Sequence, residues 1–518
     1  MEQFIAHHRP HVTAVLSGFD RLVFRGTLLP LMGKWGMFNF LERAFVQLLD
    51  FKPYVLLTSE RVKAAAEAEA KALGRPTRYL ESSGISKEDL ARRLLTEHPV
   101  DRGLICTLTA VEPCISFEYQ RSKDTTQRGL KPRRRKCLHL YKYLLDDRFG
   151  FMNVRLQTWF PFNIQICLNG REWLAQQLTR KGATDFLRHD NCFLRLGDPA
   201  LAQRLMDQQL QIDWKAALDA LARVVNPLHD EIFQSAPMDY YWSAYQTEWA
   251  TDVLFRDPAS LAAIYPGLVQ HAMHHFQSPD VLRFVGKKVH QQFAGELTTS
   301  FKNRPEGVRV KHFIAGNSIK MYDKAGSVLR VETTIGNPKP FKVYRTKQGA
   351  QDGQYAWLPL RKGIADLHRR AQVSQRANDT YLDALGAVSD DTPASQIFDE
   401  VARHTTWRGR RVRALRIGDL ADIAFLQAIS RGEFATGGFR NGDIRDLLYP
   451  NKRIAPVEEV KKLSARTGRC LRLLRAHGLI RKIQRSHRYR LTPRGQLLTA
   501  ALFAARNATL KQLVAKAA

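Results

Sequence analysis

Apolar and polar positions change their spacing several times along this chain, and each change marks an expected element. Residues 12–29 read as strand, interrupted at Ser17-Gly18-Phe19-Asp20-Arg21, and residues 59–74 as an alanine-rich amphipathic helix that Gly74-Arg75-Pro76 stops. Residues 104–108 and 115–119 read as strands on either side of Glu112-Pro113, followed by a charged loop at 121–136. Strand-like alternation returns at 154–159 and 162–168, and Asn169-Gly170 is a turn signal. From 170 to about 300 the spacing is mostly helical, with Tyr240, Tyr241, Trp242 and Trp249 packed within it. Residues 308–313, 318–324 and 327–335 alternate again, separated by turns at Gly316-Asn317 and Lys324-Ala325-Gly326, which predicts a three-stranded meander. A helix at about 359–387 leads to the linker candidate Ser389-Asp390-Asp391-Thr392-Pro393. The expected fold class is α+β or α/β and multidomain: an α/β unit at 1–170, a mainly helical domain at 171–300, a meander and helix completing a mixed-sheet body at 301–390, and a helix-and-hairpin module at 401–518.

Charge changes this picture more than composition does. The 518 residues carry a formal net charge of +30, and the segment 401–518 holds 26 Lys and Arg against 7 Asp and Glu, nineteen of the thirty surplus charges. Such an excess speaks to association with a polyanion and not to fold. No apolar run approaches the roughly 18 residues of a membrane span. The first residues lack the order of a secretion signal, so a cytoplasmic setting without membrane attachment is expected. Six dispersed cysteines with no CxxC spacing argue against a disulfide framework and a structural zinc site. The chain has no GxxxxGK[ST] loop, no GxGxxG after a strand and no GxSxG elbow, which disfavours ATP-driven motors, Rossmann cofactors and serine-hydrolase chemistry.

Within the basic module, Val460, Leu463, Cys470, Leu471 and Leu474 fall near helical spacing and face a core, while Lys462, Arg466, Arg469 and Arg472 recur on another face. Gly478 supplies the C-cap, and residues 481–485 and 488–492 form a hairpin carrying Arg481, Lys482, Arg485, Arg488 and Arg490. The run Leu474-Arg475-Ala476-His477-Gly478-Leu479-Ile480-Arg481-Lys482, followed by Arg490-Leu491-Thr492-Pro493-Arg494-Gly495, resembles the helix-wing-helix end of MarR-like winged-helix domains over residues 415–505. That resemblance implies a C-terminal winged-helix domain gripping DNA or structured RNA; winged helices also dock proteins, and a solvated basic face is the plainer alternative. A second cluster, Lys131-Pro132-Arg133-Arg134-Arg135-Lys136, suits phosphate contacts through Arg133, Arg134, Arg135 and Lys136. Nearby Tyr141, Tyr143, Trp159 and Phe160 offer either stacking faces for unpaired bases or core.

The sharpest chemical hint lies in the meander. Tyr322-Asp323-Lys324 followed by Arg330-Val331-Glu332 resembles the YDK and RxE strand pair of rolling-circle replication initiators of plasmids and phages. The resemblance implies a mobile-element enzyme in which a carboxylate and cations sit beside a nicked strand and a tyrosine attacks the phosphate, with Glu332, Tyr322 and Lys324 in those roles. The metal-binding histidine triplet of those enzymes is missing, since His139-Leu140-Tyr141 has one histidine only. Alternation places Lys320, Tyr322 and Lys324 on one face, and a cross-strand charge ladder on a half-exposed sheet explains the same residues. Asp20, Glu112 and Glu332 are candidate ligands for Mg²⁺ or Mn²⁺, with Glu118 nearby, because phosphoryl transfer uses two or three acidic groups to hold such ions. Tyr344 and Tyr241 are alternative nucleophiles, and His271, His274 and His275 read as a histidine-rich surface helix without the glutamate of a zinc motif. Two readings follow. One is a metal-dependent cleaving or strand-transfer enzyme acting on DNA or RNA. The other is a non-catalytic regulator or ribonucleoprotein component whose body supplies dimer contacts.

Overall fold

The computed structural model describes residues 1–82, 84–120, 129–274, 276, 297–304, 307–347, 354–386, 394–431, 434, 438–450, 456–483 and 486–507. Its strands are β1 (Val12–Thr27), β2 (Thr77–Leu80), β3 (Gly103–Gln120), β4 (Gly129–Asp146), β5 (Gly150–Gln157), β6 (Ile164–Asn169), β7 (Phe186–His189), β8 (Cys192–Leu196), β9 (Tyr241–Phe255) and β10 (Leu297–Arg304). They continue with β11 (Gly307–Ile314), β12 (Asn317–Lys324), β13 (Val328–Ile335), β14 (Lys342–Thr346), β15 (Tyr355–Pro359), β16 (Thr405–Trp407), β17 (Arg410–Val412), β18 (Ile480–Lys482) and β19 (Tyr489–Leu491). Eleven of them hydrogen-bond in the order β10-β11-β12-β13-β9-β1-β6-β5-β4-β3-β2, and β2 joins β3 in parallel while the other pairings along β3 to β6 are antiparallel. The fold is thus mixed α/β. The chain forms two compact units, a body unit of residues 14–254 and 332–375 and a terminal unit of residues 1–13, 255–331 and 376–518.

In the body unit, β1 runs through Ser17-Gly18-Phe19-Asp20-Arg21 without the expected interruption. A central strand covered on both faces gives a near-continuous buried run and not a clean alternation. Gly18 marks a close approach: a Cβ there would lie 2.0 Å from Met206 Cε. Asn169-Gly170 is likewise no hairpin turn but the start of a helix, Gly170–Arg180, with Asn169 Oδ1 accepting from the amides of Arg171 and Glu172. A Cβ on Gly170 would meet the Phe19 carbonyl oxygen at 1.8 Å, so only glycine lets this helix start pack on β1. Behind it, the buried Arg171 guanidinium pairs with Asp252 of β9 at 2.9 Å.

The expected charged loop at 121–136 is a correction. Residues 121–128 lie outside the described residues, but Lys131 to Lys136 belong to β4 and pair with β3, Lys136 opposite Pro113 and Arg133 opposite Ser116. The two strands anticipated around Glu112-Pro113 are the single strand β3. β2 reaches only to Ala110 of β3. Beyond it β3 is bordered by β4 alone among the described residues, the edge setting in which proline is tolerated. The helix expected at 59–74 runs Phe51–Ala72. The stretch 171–300 does carry helices Gly170–Arg180, Pro199–Gln208, Trp214–Val225, His229–Ile232 and Pro258–His274, but β9 crosses it and holds Tyr241, Trp242 and Trp249. The expected boundary at residue 170 runs through one core, in which Trp173, Leu205 and Leu218 pack with Phe24, Ile164 and Trp249.

The meander is present as expected, β11 to β13 with Gly316 (φ +80°) and Ala325-Gly326 (φ +57° and +84°) in its turns, extended by β10, and its residues up to Val331 belong to the terminal unit. Its half-exposed character does not hold: β13 is buried at every position but one. The helix Leu367–Leu385 matches the expected 359–387, and residues 389–393 of the linker candidate lie outside the described residues. The basic module has helices Ala394–Val401, Leu420–Ser430, Asn441–Leu448, Val457–Ala476 and Pro493–Asn507 around Leu426, Ile429, Phe439, Ile444, Leu471, Leu474 and Leu498. Phe439, just before Asn441–Leu448, bridges Tyr489, so a third backbone segment joins the β18–β19 hairpin. Helix Val457–Ala476 ends with Gly478 at φ +72°, whose amide bonds to Arg475 while that of Leu479 reaches back to Leu474.

Candidate metal centre and cationic surfaces

Three neighbouring strands each place one carboxylate in the body unit: Asp20 from β1, Glu248 from β9 and Glu332 from β13, whose residues from Glu332 onward belong to that unit. One ligand oxygen from each lies within 4.8 Å of the others. Asp20 is 4% exposed, Glu332 is fully buried, and Glu248 is half-buried. Alternation in strands points a side chain outward from the sheet every second residue, so acids on adjacent strands converge when their registers agree. Asn191, in the turn between β7 and β8, sends its amide nitrogen to both Asp20 oxygens at 3.0 Å. Gln246 holds a Glu248 oxygen at 2.9 Å.

Asp20 and Glu248 open onto a polar cavity of about 170 Å³ that Arg21, Glu88, Arg92, Asp190 and Asn191 also line. Arg21 stands at its rim with Nε 3.2 Å from Cys167 Sγ. Its guanidinium is pushed up by Cys167 and more weakly by Glu248 and Glu88. Burial raises the Cys167 thiol although Arg21 pulls it down. Two ionised carboxylates whose nearest oxygens lie within 4.8 Å of one another repel by about 3 kcal/mol or more at an effective dielectric near 20, so a group of three favours a cation or a proton among them. An all-oxygen donor set selects hard cations. Any two ligands of one ion bonded at about 2.1–2.5 Å lie no more than roughly 5 Å apart, and the three carboxylate oxygens, all within 4.8 Å of one another, are close enough to share an ion.

Of the three sequence candidates, Asp20 and Glu332 come together and Glu112 does not. Glu112 lies on β3 with Lys87 at 3.0 Å, Arg155 at 2.9 Å and the Tyr141 hydroxyl at 2.7 Å. Burial alone would raise its carboxyl, but hydrogen bonds from Tyr141 and Lys87 and the charge of Arg155 hold it below the usual value. Glu118 pairs with Arg135 at 2.8 Å. Glu248 was missed because its surroundings were read as helix; an isolated glutamate between Thr247 and Trp249 in an aromatic strand was the only signal. Tyr322 and Lys324 belong to β12 of the terminal unit, where the Tyr322 ring is 8% exposed beneath Lys320 and Arg304. Of the alternative nucleophiles, Tyr241 and Tyr344 are both exposed. His271 packs edge-on against Phe276, and the side chain of His274 and all of His275 lie outside the described residues.

The cations divide by exposure. Arg133, Arg134 and Lys136 are exposed on the β3–β4 ribbon, and Arg135 is engaged by Glu118. Tyr141, Tyr143 and Phe160, expected either as stacking faces or as core, are core at 8%, 3% and 0% exposure. Lys462, Arg466, Arg469 and Arg472 line the exposed face of Val457–Ala476, and Arg481, Lys482 and Arg490 are exposed on the hairpin. Arg488 turns inward, donating to the Gly438 carbonyl at 2.9 Å, and Arg485 lies outside the described residues. Among the described residues no helix is long and apolar enough to cross a membrane. The chain matches no protein-family model, no curated protein and no solved structure.

Proposed function

We propose that this is a nucleic-acid-binding protein of a mobile genetic element that cleaves or transfers DNA or RNA strands with Mg²⁺ or Mn²⁺ held by Asp20, Glu248 and Glu332. The observation that carries the reading is the trio of carboxylates gathered from three strands beside a polar cavity. A divalent ion there would polarise a phosphate oxygen and lower the pKa of a bound water. Asn191 fixes Asp20 for that task, and Arg21 and Arg92 at the cavity rim are placed to neutralise an incoming phosphate. Tyr322 needs no part in this scheme, because water can serve as the nucleophile of cleavage and a strand's own 3′-hydroxyl as that of transfer. In the basic module, the order helix, bridge, helix, helix, hairpin supports the winged-helix reading, and its exposed cations supply counterion release on phosphates.

The test is cleavage of labelled single-stranded DNA, duplex DNA and structured RNA with each metal. The wild type should cut at least one of them. Glu332→Gln should lose activity by on the order of a hundredfold or more, since metal polarisation contributes several kcal/mol, while binding is retained. Salt-sensitive binding with no cleavage of any substrate by the wild type would leave the non-catalytic reading in its place.

A further inference from the structure

We infer that the outer face of the β14–β15 hairpin is a stacking platform for the bases of single-stranded nucleic acid. This rests on the nucleic-acid reading above but concerns a different surface from the carboxylate trio. The register sets Tyr344 opposite Trp357 and Thr346 opposite Tyr355, so alternation puts the three aromatics on one face of the hairpin. They are 58%, 62% and 55% exposed for Tyr344, Trp357 and Tyr355. The Tyr344 ring stacks on Tyr355 at 5.5 Å and 26°, and meets Trp357 at 5.6 Å. On the opposite face Val343 and Arg345 are buried, and the Arg345 guanidinium donates to the carbonyls of Pro359 and Thr346. The aromatic face is therefore carried on a hairpin whose opposite face holds buried side chains and whose two strands Arg345 ties together.

One cross-strand aromatic pair would suffice to stabilise a two-stranded hairpin. Three rings, each more than half exposed, leave apolar area in water that a partner would cover. Charge selects the partner. Residues 336–365 carry Lys339, Lys342, Arg345, Lys347, Arg361 and Lys362 against the single carboxylate of Asp352, and all of those cations except Arg345 are exposed. Aromatic faces ringed by cations suit unpaired bases on a phosphate backbone, whereas a paired duplex hides its base faces. A second copy of this chain would bring like charges together.

The experiment measures the affinity of the full chain for an oligothymidylate of about twenty nucleotides, long enough for any common single-strand site, and for a duplex of equal length. Tyr344→Ala, Tyr355→Ala and Trp357→Ala should each weaken single-strand binding about tenfold and leave duplex binding within about twofold of wild type. Tyr344→Phe and Trp357→Phe, which keep a ring, should restore it. Unchanged melting temperature in the alanine variants would show that they fold. Unaltered single-strand affinity in all three, or equal losses on both nucleic acids, would overturn the platform while leaving nucleic-acid binding standing. A change in sedimentation without a change in affinity would overturn it in favour of a self-association face. Failure of the wild type to bind either probe would strike the functional reading itself.

Discussion

Each carboxylate of the trio is defined by what surrounds it and not by its sequence neighbours. Asp20 and Glu112 look alike along the chain, single acids in strand-like apolar stretches. Yet Glu112 is neutralised by Lys87 and Arg155, whereas Asp20 meets two further acids. The difference predicts a metal-linked stability. A ligand at a hundred times its dissociation constant adds about 2.7 kcal/mol to the fold, so Mn²⁺ should raise the melting temperature of the wild type by several degrees. Glu248→Gln should abolish most of that rise, and Glu112→Gln should keep it. Calorimetry with and without the ion reads both, and an undiminished shift in Glu248→Gln would remove the trio as the binding site. Two members were legible in the sequence, Asp20 as an acid in a strand-like stretch and Glu332 through the resemblance of its strand pair. Glu248 was not, because only the fold reveals that β9 lies between β13 and β1.

Where apolar and polar residues kept a regular spacing along an element, it was readable; where they did not, its bounds were missed. The meander and the helix Val457–Ala476 each keep a regular spacing and were placed within a few residues. β1, buried on both faces, hid its continuity behind Gly18, and in the distal β3–β4 ribbon the alternation of Ile115, Phe117 and Tyr119 was readable while the cationic run of β4 opposite it carried none. That ribbon and the basic helix are the elements whose surface cations invite phosphates. For duplex DNA the logarithm of affinity falls with the logarithm of salt at about 0.9 per phosphate neutralised. Replacing Lys462, Arg466, Arg469 and Arg472 by alanine should therefore flatten the salt dependence by about three to four. Replacing Arg133, Arg134 and Lys136 should act separately on whichever nucleic acid the ribbon touches. Salt titrations of binding that kept the wild-type slope in the helix variant would show that its arginines are only a solvated face.

At the scale of the whole chain, a net charge of +30 makes acid a double burden. Lowering the pH protonates surface histidines and carboxylates and adds self-repulsion, and it also challenges histidines that the fold keeps neutral. Burial holds His139 near pKa 4, helped by the charge of Arg155, and burial alone does the same to His312, both from an ordinary 6.5. His139 sends Nδ1 to the Cys137 carbonyl, and His312 lies between the hydroxyls of Thr299 and Tyr381. Between pH 6.5 and 4 the unfolded chain binds these protons and the folded chain does not. Stability is thus intact above the unfolded value and falls as pH drops, by on the order of 3 kcal/mol for each histidine once both limits are passed. Salt separates the two effects. Self-repulsion is screened over a Debye length of about 10 Å at 0.1 M, while the desolvation of a buried imidazole is not. The decline from pH 7 to 4.5 should therefore persist at high ionic strength and become shallower in His139→Gln and His312→Gln. Denaturation midpoints followed across that range would refute the assignment if the variants declined as steeply as the wild type.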